Sequence, residues 1–243
     1  MIKKFYKSSS MTSLKSEFKL WDKGFKNTLV LIPGWATDYR IFEPLALNYN
    51  YLFPIKFYPF HFKEELSKFL RKNSLSKVSL LGWSMGGFLA TDFALRNPKR
   101  VHELILLSIR KSFNSKALEE IKELLKKNKK AYLYKFYLEC FSVDDEEGRL
   151  WFKKHLLKDY LHEWTLKDLL DGLDYLSGAR IFGESLSRFK EIKIFHGEKD
   201  AIAPLKESLE IKSGLPQAQF ISLPTAGHIL FLNSAFRKKI SHG

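Results

Sequence analysis

Apolar runs rich in β-branched residues alternate with amphipathic stretches along most of the chain. Short runs that stay apolar indicate strands buried on both faces of a parallel sheet. Amphipathic stretches between such runs predict helices that cover the sheet. We therefore predict an α/β fold with a mainly parallel sheet and helices on both faces, and only weak strand character in residues 1–27. The predicted strands are 29–32, 78–81, 104–107, 192–195 and 220–223, and the predicted helices are 64–72, 86–96 and 205–212.

The segment 112–177 departs from this alternation, because it contains no convincing strand and several helical patterns. One of these patterns predicts a helix face that carries Leu118, Ile121, Leu124 and Leu125. Strand signals resume only at Ile192, so the segment interrupts one sheet and is expected to pack over an edge of it. We predict three parts, namely a first core segment (1–111), a helical insertion (112–180) and a second core segment (181–243).

Length and charge restrict the possible partners. A chain of 243 residues with 45% hydrophobic residues fits one α/β domain with an insertion. The formal net charge of +14 favours an anionic partner, such as nucleic acid, a lipid surface or an acidic protein. The cations are mainly Lys, whereas base reading favours Arg, and no nucleic-acid motif accompanies them. We therefore predict no nucleic-acid partner, and a lysine-rich genome is the alternative explanation of the charge.

The single cysteine and the chain start bear on the compartment. Cys140 alone cannot form an internal disulfide or a multi-cysteine metal site. The basic start, 1–7, is followed by Ser8-Ser9-Ser10 instead of the apolar core of a secretory signal. No apolar stretch is long enough to span a bilayer. We expect a cytoplasmic monomer without stable membrane association.

The strongest local motif is Gly82-Trp83-Ser84-Met85-Gly86, which follows a predicted strand directly and precedes a predicted helix. A sharp strand-to-helix turn of this kind exposes the serine, and the glycines leave room for the crowded backbone. The serine also lies at a helix N-terminus, where negative charge is stabilised. Ser84 is the predicted nucleophile, and a chance motif in an ordinary turn is the alternative.

A serine hydroxyl needs a base, and turns of this kind have their acid and histidine later in the chain, in that order. Asp200 follows the predicted strand 192–195, and His228 follows the strand 220–223. His228 would take the proton of Ser84, and Asp200 would orient the imidazole. Glu198 competes with Asp200 for the acid role, a solvated loop histidine and a turn-forming aspartate are the alternatives, and His196 is expected in the core. No spacing of ligands indicates zinc, so no metal or cofactor is predicted.

Acyl transfer also needs donors for an oxyanion. The Met85 N–H, directly after the nucleophile, is one candidate. The turn at Gly34-Trp35 ends the first predicted strand and could present the Trp35 N–H to the same point. An ordinary strand-ending Pro-Gly turn with a packing tryptophan is the alternative.

These motifs resemble the α/β-hydrolase superfamily and, within it, the biotin-synthesis carboxylesterases that demethylate pimeloyl-[acyl-carrier protein] methyl ester. The matching stretches span most of the chain. They are Pro33-Gly34-Trp35, Gly82-Trp83-Ser84-Met85-Gly86-Gly87, Asp168-Leu169-Leu170-Asp171-Gly172-Leu173 and Ala226-Gly227-His228. The resemblance implies the triad Ser84, Asp200 and His228 with oxyanion donors at Trp35 and Met85.

The resemblance further implies that the insertion is a basic lid that docks an acidic acyl-carrier protein. It also implies substrate contacts from Trp35 and from Phe136, where the family has an aromatic residue against the acyl chain. A lysine-rich lid would attract an acidic carrier over about a Debye length, roughly 8–10 Å. The docking candidates are Lys126, Lys127, Lys129, Lys130, Arg149, Lys153 and Lys154, with Lys135 and Lys158 nearby.

Two departures from the family bear on the substrate. The Asp-x-x-Gly-x-Gly loop of the family is absent, and the aromatic segment 53–60 leads quickly to a helix instead. The lid cations are mainly Lys, which holds phosphate or carboxylate less specifically than Arg. The leading hypothesis is a carboxylesterase that acts on pimeloyl-[acyl-carrier protein] methyl ester. The alternatives are a general carboxylesterase or thioesterase on small acyl substrates and a non-catalytic binding protein with a basic lid.

Overall fold

The computed structural model describes residues 17–241, and residues 1–16 and 242–243 lie outside the described part. Its sheet has the strand order β1-β3-β2-β4-β5-β6-β7, in which β1 is antiparallel and the other pairs are parallel. The predicted α/β fold with a mainly parallel sheet is confirmed. The strands are β1 Glu17–Trp21, β2 Thr28–Ile32, β3 Asn50–Lys56, β4 Val78–Trp83, β5 Val101–Leu107, β6 Ile192–Gly197 and β7 Gln219–Leu223.

All five predicted strands are present, and the pattern missed β1 and β3. β3 contains Pro54, which has no N–H to donate to a ladder and argues against a central strand. The structure accommodates it because the parallel pairing of β3 with β2 ends at Leu52. Pro54 therefore lies beyond β2, opposite Phe18 of the edge strand β1. At Pro54, β3 has a neighbouring strand on only one side. The proline is tolerated for that reason, although it led the pattern to miss the strand.

The core helices follow the predicted patterns. Helix α1 (Phe62–Lys72) buries Phe62, Leu66 and Leu70 at a spacing of four residues, so one face packs on the sheet. Helix α2 (Met85–Arg96) is buried on most sides and ends at Asn97, before a proline that cannot continue it. Helix α7 (Leu205–Ser213) ends at Gly214, and α8 (Ser234–Ser241) closes the described chain.

Four helices separate β5 from β6 and form the insertion. They are α3 Ser115–Glu139, α4 Glu146–His155, α5 Leu157–Glu163 and α6 Leu166–Gly178. The backbone of α3 leaves the helical conformation at Asn128, whose side chain accepts the Ala131 N–H at 3.0 Å. The predicted apolar face is wrong at Leu124, which is 50% exposed, whereas Leu118 and Leu125 are buried.

The insertion contacts the loop at the carboxyl end of β2. The Trp35 indole N–H donates to the Leu169 carbonyl of α6 at 2.9 Å. The Tyr137 hydroxyl of α3 donates to the Ala36 carbonyl at 2.6 Å. The loop after β2 is therefore held from above by two helices of the insertion. Within the described residues, no helix is long and apolar enough to cross a membrane.

Candidate active site

Ser84 lies in the turn between β4 and α2, which we call the nucleophile turn (residues 82–86). Its φ of 53° is unusual for a residue with a side chain, and strain of this kind clusters at functional sites. A Cβ on Gly86 would lie 2.1 Å from the Ile32 carbonyl oxygen, and one on Gly82 would lie 2.3 Å from the Gly86 oxygen. Only glycine fits at both positions, which is the geometry that the motif predicts.

The two predicted partners of Ser84 lie beside it. The Ser84 hydroxyl oxygen is 2.9 Å from His228 Nε2, and His228 Nδ1 is 2.8 Å from Asp200 Oδ2. His228 is 1% exposed and Asp200 is 9% exposed, so water is largely excluded from the pair. The three side chains form one continuous hydrogen-bonded chain, although 144 positions separate the serine from the histidine.

Asp200 is held as a carboxylate. Its Oδ1 accepts the N–H groups of Ile202 and Ala203, each at 2.8 Å. Burial opposes ionisation, but His228, His196 and the Ala203 N–H together lower the pKa of Asp200 below its ordinary value of 3.8. The competing acid Glu198 is exposed and accepts instead from the Ser222 hydroxyl at 2.7 Å. The geometry therefore favours Asp200 over Glu198.

His196 is a fully buried neighbour of the acid. Its Nε2 lies 2.8 Å from the Ala203 carbonyl oxygen and 3.6 Å from Asp200 Oδ2. Burial lowers the pKa of His196 below its ordinary value of 6.5, which keeps the ring neutral. In the described part of the chain, its Nδ1 has no hydrogen-bond partner. His196 is thus a core histidine that braces the turn carrying Asp200.

The backbone of His228 is fixed by Trp83 of the nucleophile turn and by Ser108, which no sequence motif marks. We call residues 224–229 the histidine loop. The His228 carbonyl oxygen accepts the Ser108 hydroxyl at 2.7 Å and the Trp83 indole N–H at 2.9 Å. Ser108 follows β5 directly and has a φ of 49°. A non-glycine residue at positive φ behind a buried strand is visible only in the structure.

Both predicted oxyanion donors border one cavity beside Ser84. Trp35 and Met85 line it, and a Cβ on Gly34 would lie 3.3 Å from Ser84 Cβ. Among residues 17–241, no protein acceptor is found for either backbone N–H. Phe136 packs edge-on against Trp35, with ring centroids 5.0 Å apart and an interplanar angle of 76°. Phe136 therefore supports the wall of the cavity through Trp35.

The cavity has a volume of about 330 Å³, and its lining is rich in acidic residues. Carboxylates outnumber cations along its lining, although the whole chain carries +14. Arg40, outside the lining, binds Asp38 at 2.8 Å and Glu163, and Lys167 binds Asp171 at 2.5 Å. The lining includes the acidic residues Asp38, Glu163, Asp168 and Asp171, the single cation Lys56, and the aromatic residues Trp35, Phe57, Tyr58 and Trp164.

Comparison with known proteins agrees with the observed fold. The model of the family described as alpha/beta hydrolase fold matches residues 43–151. A thermophilic esterase from Thermogutta terrifontis has a similar structure, with a TM-score of 0.78 at 17% identity, over 93% of this chain and 91% of that one. The chain has the α/β-hydrolase fold.

Two relatives with the same name extend the similarity beyond the fold. A pimeloyl-[acyl-carrier protein] methyl ester esterase from Nitrosomonas europaea is 25% identical over 182 residues, which cover 70% of this chain and 71% of the relative. The esterase of that name from Legionella pneumophila (strain Paris) is 27% identical over 222 residues, which cover 84% of this chain and 89% of the relative.

The predicted docking cations of the insertion fall into two groups, of which the first have partners in the structure. Lys126 binds Glu123 at 2.7 Å, Lys135 lies 3.6 Å from Glu139, and Lys129 donates to the Trp164 carbonyl. Five other cations form no ion pair within the part of the chain that the structure describes. They are Lys127, Lys130, Lys153 and Lys154, which are exposed, and the half-buried Arg149. No group of acidic, His or Cys side chains between residues 17 and 241 is arranged to hold a metal ion.

Proposed function

We propose that this hydrolase is a serine carboxylesterase in which Ser84 is the nucleophile, His228 the base and Asp200 the residue that orients the base. The observation that carries the proposal is the pair of hydrogen bonds at 2.9 Å and 2.8 Å that joins the three side chains. His228 would need both ring nitrogens in these roles, with Nδ1–H donating to Asp200 and Nε2 accepting from the serine. No metal or cofactor is required by this chemistry.

The reaction follows from these roles. Ser84 Oγ attacks the ester carbonyl carbon while His228 takes the hydroxyl proton. The N–H groups of Trp35 and Met85 stabilise the oxyanion, because both are free donors at the cavity. His228 then protonates the departing alkoxide, which leaves as the alcohol. A water activated by His228 hydrolyses the acyl-enzyme and regenerates Ser84.

We further propose that the ester is the methyl ester of a pimeloyl chain on acyl-carrier protein, which places the enzyme in biotin synthesis. The relatives with that name support this substrate. Three of the four carboxylates in the cavity lining are paired with Arg40 or Lys167, so the lining has little net charge and suits an uncharged ester. The unpaired lysines of the insertion, residues 112–180, would attract the acidic carrier. A general carboxylesterase or thioesterase on small acyl substrates is the alternative, since the fold does not determine the leaving group.

A fluorophosphonate probe tests the serine mechanism and the alternative of a non-catalytic binding protein. The folded wild type should be labelled stoichiometrically, and Ser84→Ala should remain unlabelled with an unchanged melting temperature. We expect Ser84→Ala to lose at least about a thousandfold in kcat on p-nitrophenyl butyrate. A folded wild type that resists labelling would contradict the proposal.

Carrier docking is tested by reversing charge on the insertion. Replacing Lys127, Lys130, Lys153 and Lys154 by Glu should raise KM for the carrier-bound ester about tenfold and leave p-nitrophenyl butyrate unaffected. The matched control replaces four exposed lysines outside the insertion by Glu, at Lys72, Lys77, Lys99 and Lys206. Equal effects of the two sets, or turnover of the small ester alone, would contradict the carrier-bound substrate.

A further inference from the structure

Asp145 is a buried carboxylate of the insertion that the reaction itself does not use. It precedes α4 at the N-cap position, where an aspartate ordinarily accepts an N–H of its own helix. Its side chain makes no such bond and is 5% exposed. A carboxylate removed from water at this cost requires other donors.

Those donors join Asp145 to the histidine loop. Its Oδ2 accepts the Gly227 N–H at 2.6 Å and the Ser142 N–H at 3.0 Å. Its Oδ1 accepts from the Asn233 side chain at 2.8 Å. Hydrogen bonds to a charged acceptor are stronger than bonds between neutral groups. Asp145 therefore holds the peptide N–H directly before His228.

A second set of hydrogen bonds from the same segment also holds the histidine loop. The Cys140 carbonyl oxygen accepts the N–H groups of His228 at 2.8 Å and of Ile229 at 3.2 Å. A Cβ on Gly227 would lie 2.6 Å from the Ser142 nitrogen, so the two backbones touch. Residues 140–145 of the insertion and the histidine loop thus form one hydrogen-bonded unit.

We propose that Asp145 is a positioning residue for His228, and that through it the insertion sets the orientation of the catalytic base. This inference rests on the proposed function of His228. A shift of the Gly227 peptide would move the imidazole relative to Ser84 and Asp200, and displacements of about 1 Å can cost roughly a hundredfold in rate. The lining of the cavity includes Trp35 but none of residues 140–145 or 224–229, so substrate binding should be unaffected.

The test is Asp145→Asn, which keeps the size of the side chain but turns one acceptor into a donor facing donors. We expect kcat on p-nitrophenyl butyrate to fall about 10- to 100-fold, with KM within about twofold of wild type. Amide hydrogen exchange in residues 224–230 should accelerate. The control is Asp144→Asn, which alters the exposed neighbour and should change neither measurement.

The outcomes separate this inference from the proposed function. Unchanged exchange in Asp145→Asn, or faster exchange with unchanged kcat, would overturn the positioning role. A wild type that neither turns over esters nor reacts with fluorophosphonate would refute the proposed function. Amide hydrogen exchange would still report on the hydrogen bond between Asp145 and the histidine loop. If Asp145→Asn does not fold, Asn233→Ala decides, because it removes the bond to Asp145 Oδ1 and leaves both bonds to Oδ2 in place. Its other change is the loss of the bond from the Ala235 N–H to the Asn233 side chain. It should lower kcat about threefold without changing KM, and an unchanged kcat would overturn the proposal.

Discussion

The nucleophile turn and the histidine loop meet at two hydrogen bonds, from Ser84 and Trp83 to His228, but are built by different means. Ser84 is held by steric crowding between neighbouring elements, since Gly82, Gly86 and the end of β2 leave no alternative path. His228 is held by hydrogen bonds from distant parts of the chain, including Ser108 after β5 and Cys140 in the insertion. A crowded turn tolerates no added atom, whereas a loop held by several hydrogen bonds shifts a little with each bond that is removed. The two halves of the site should therefore respond differently to mutation.

The largest effect is expected where crowding acts. Gly86→Ala would place a Cβ 2.1 Å from a backbone oxygen of β2, and we expect a loss of more than about 4 kcal/mol or no folded protein. Thermal unfolding and soluble yield measure it. Gly178→Ala is the control, because nothing lies within 4 Å of its added Cβ at the end of α6. A stable, active Gly86→Ala variant would contradict the crowding account.

On the histidine side, Asp200→Asn should leave the fold intact and abolish most activity. The amide cannot stabilise the imidazolium and favours the wrong tautomer, so kcat should fall about ten-thousandfold. Steady-state kinetics with circular dichroism tests this expectation. Glu198→Gln is the control because Glu198 was the competing acid, and a larger loss there would reassign the role.

Removal of one bond to the histidine loop should have a modest effect. Ser108→Ala deletes the hydroxyl that donates to the His228 carbonyl, and the Trp83 indole still donates to that oxygen. We expect a loss of about 1 kcal/mol in unfolding free energy and a fewfold fall in kcat. Thr91→Val is the matched control, because the buried Thr91 hydroxyl has no partner among the described residues. Similar losses in both variants would indicate a general core effect.

The smallest effect concerns pH. The pKa of His196 is lowered by burial, so its contribution to stability is complete above the unfolded value near 6.5 and declines as pH falls toward the folded pKa. The melting temperature should therefore fall between pH 7.5 and 5.5, and less so in His196→Gln. His102→Gln, at an exposed site on β5, should retain the wild-type slope. The lowered pKa of Asp200 adds a second decline only below about pH 3.8, its ordinary value. If the melting temperature of His196→Gln depends on pH as it does in the wild type, a group other than His196 causes the acid sensitivity.

The difference between the two halves also explains what could be predicted from sequence. The nucleophile turn is encoded in contiguous residues between a strand and a helix, so Ser84 and its conformation follow from pattern alone. Asp200 and His228 follow from chain order. Asp145, Ser108 and the ion pair of Arg40 with Glu163 did not, because their partners lie far away in sequence and no local spacing marks them. Strand β3 was missed because its proline contradicts the usual pattern for strands.

Trp35 and Tyr137 form hydrogen bonds between the insertion and the loop after β2, and these bonds have a consequence for engineering. Leu169 of α6 accepts from Trp35, and Tyr137 of α3 donates to Ala36, so the insertion is bonded to the loop after β2. A chimera that receives a relative's insertion alone would inherit unmatched partners at that loop. Successful grafts should exchange the insertion together with residues 34–36 and the histidine loop. The segments to be exchanged in this enzyme should therefore be chosen by their contacts and not by the ends of the insertion.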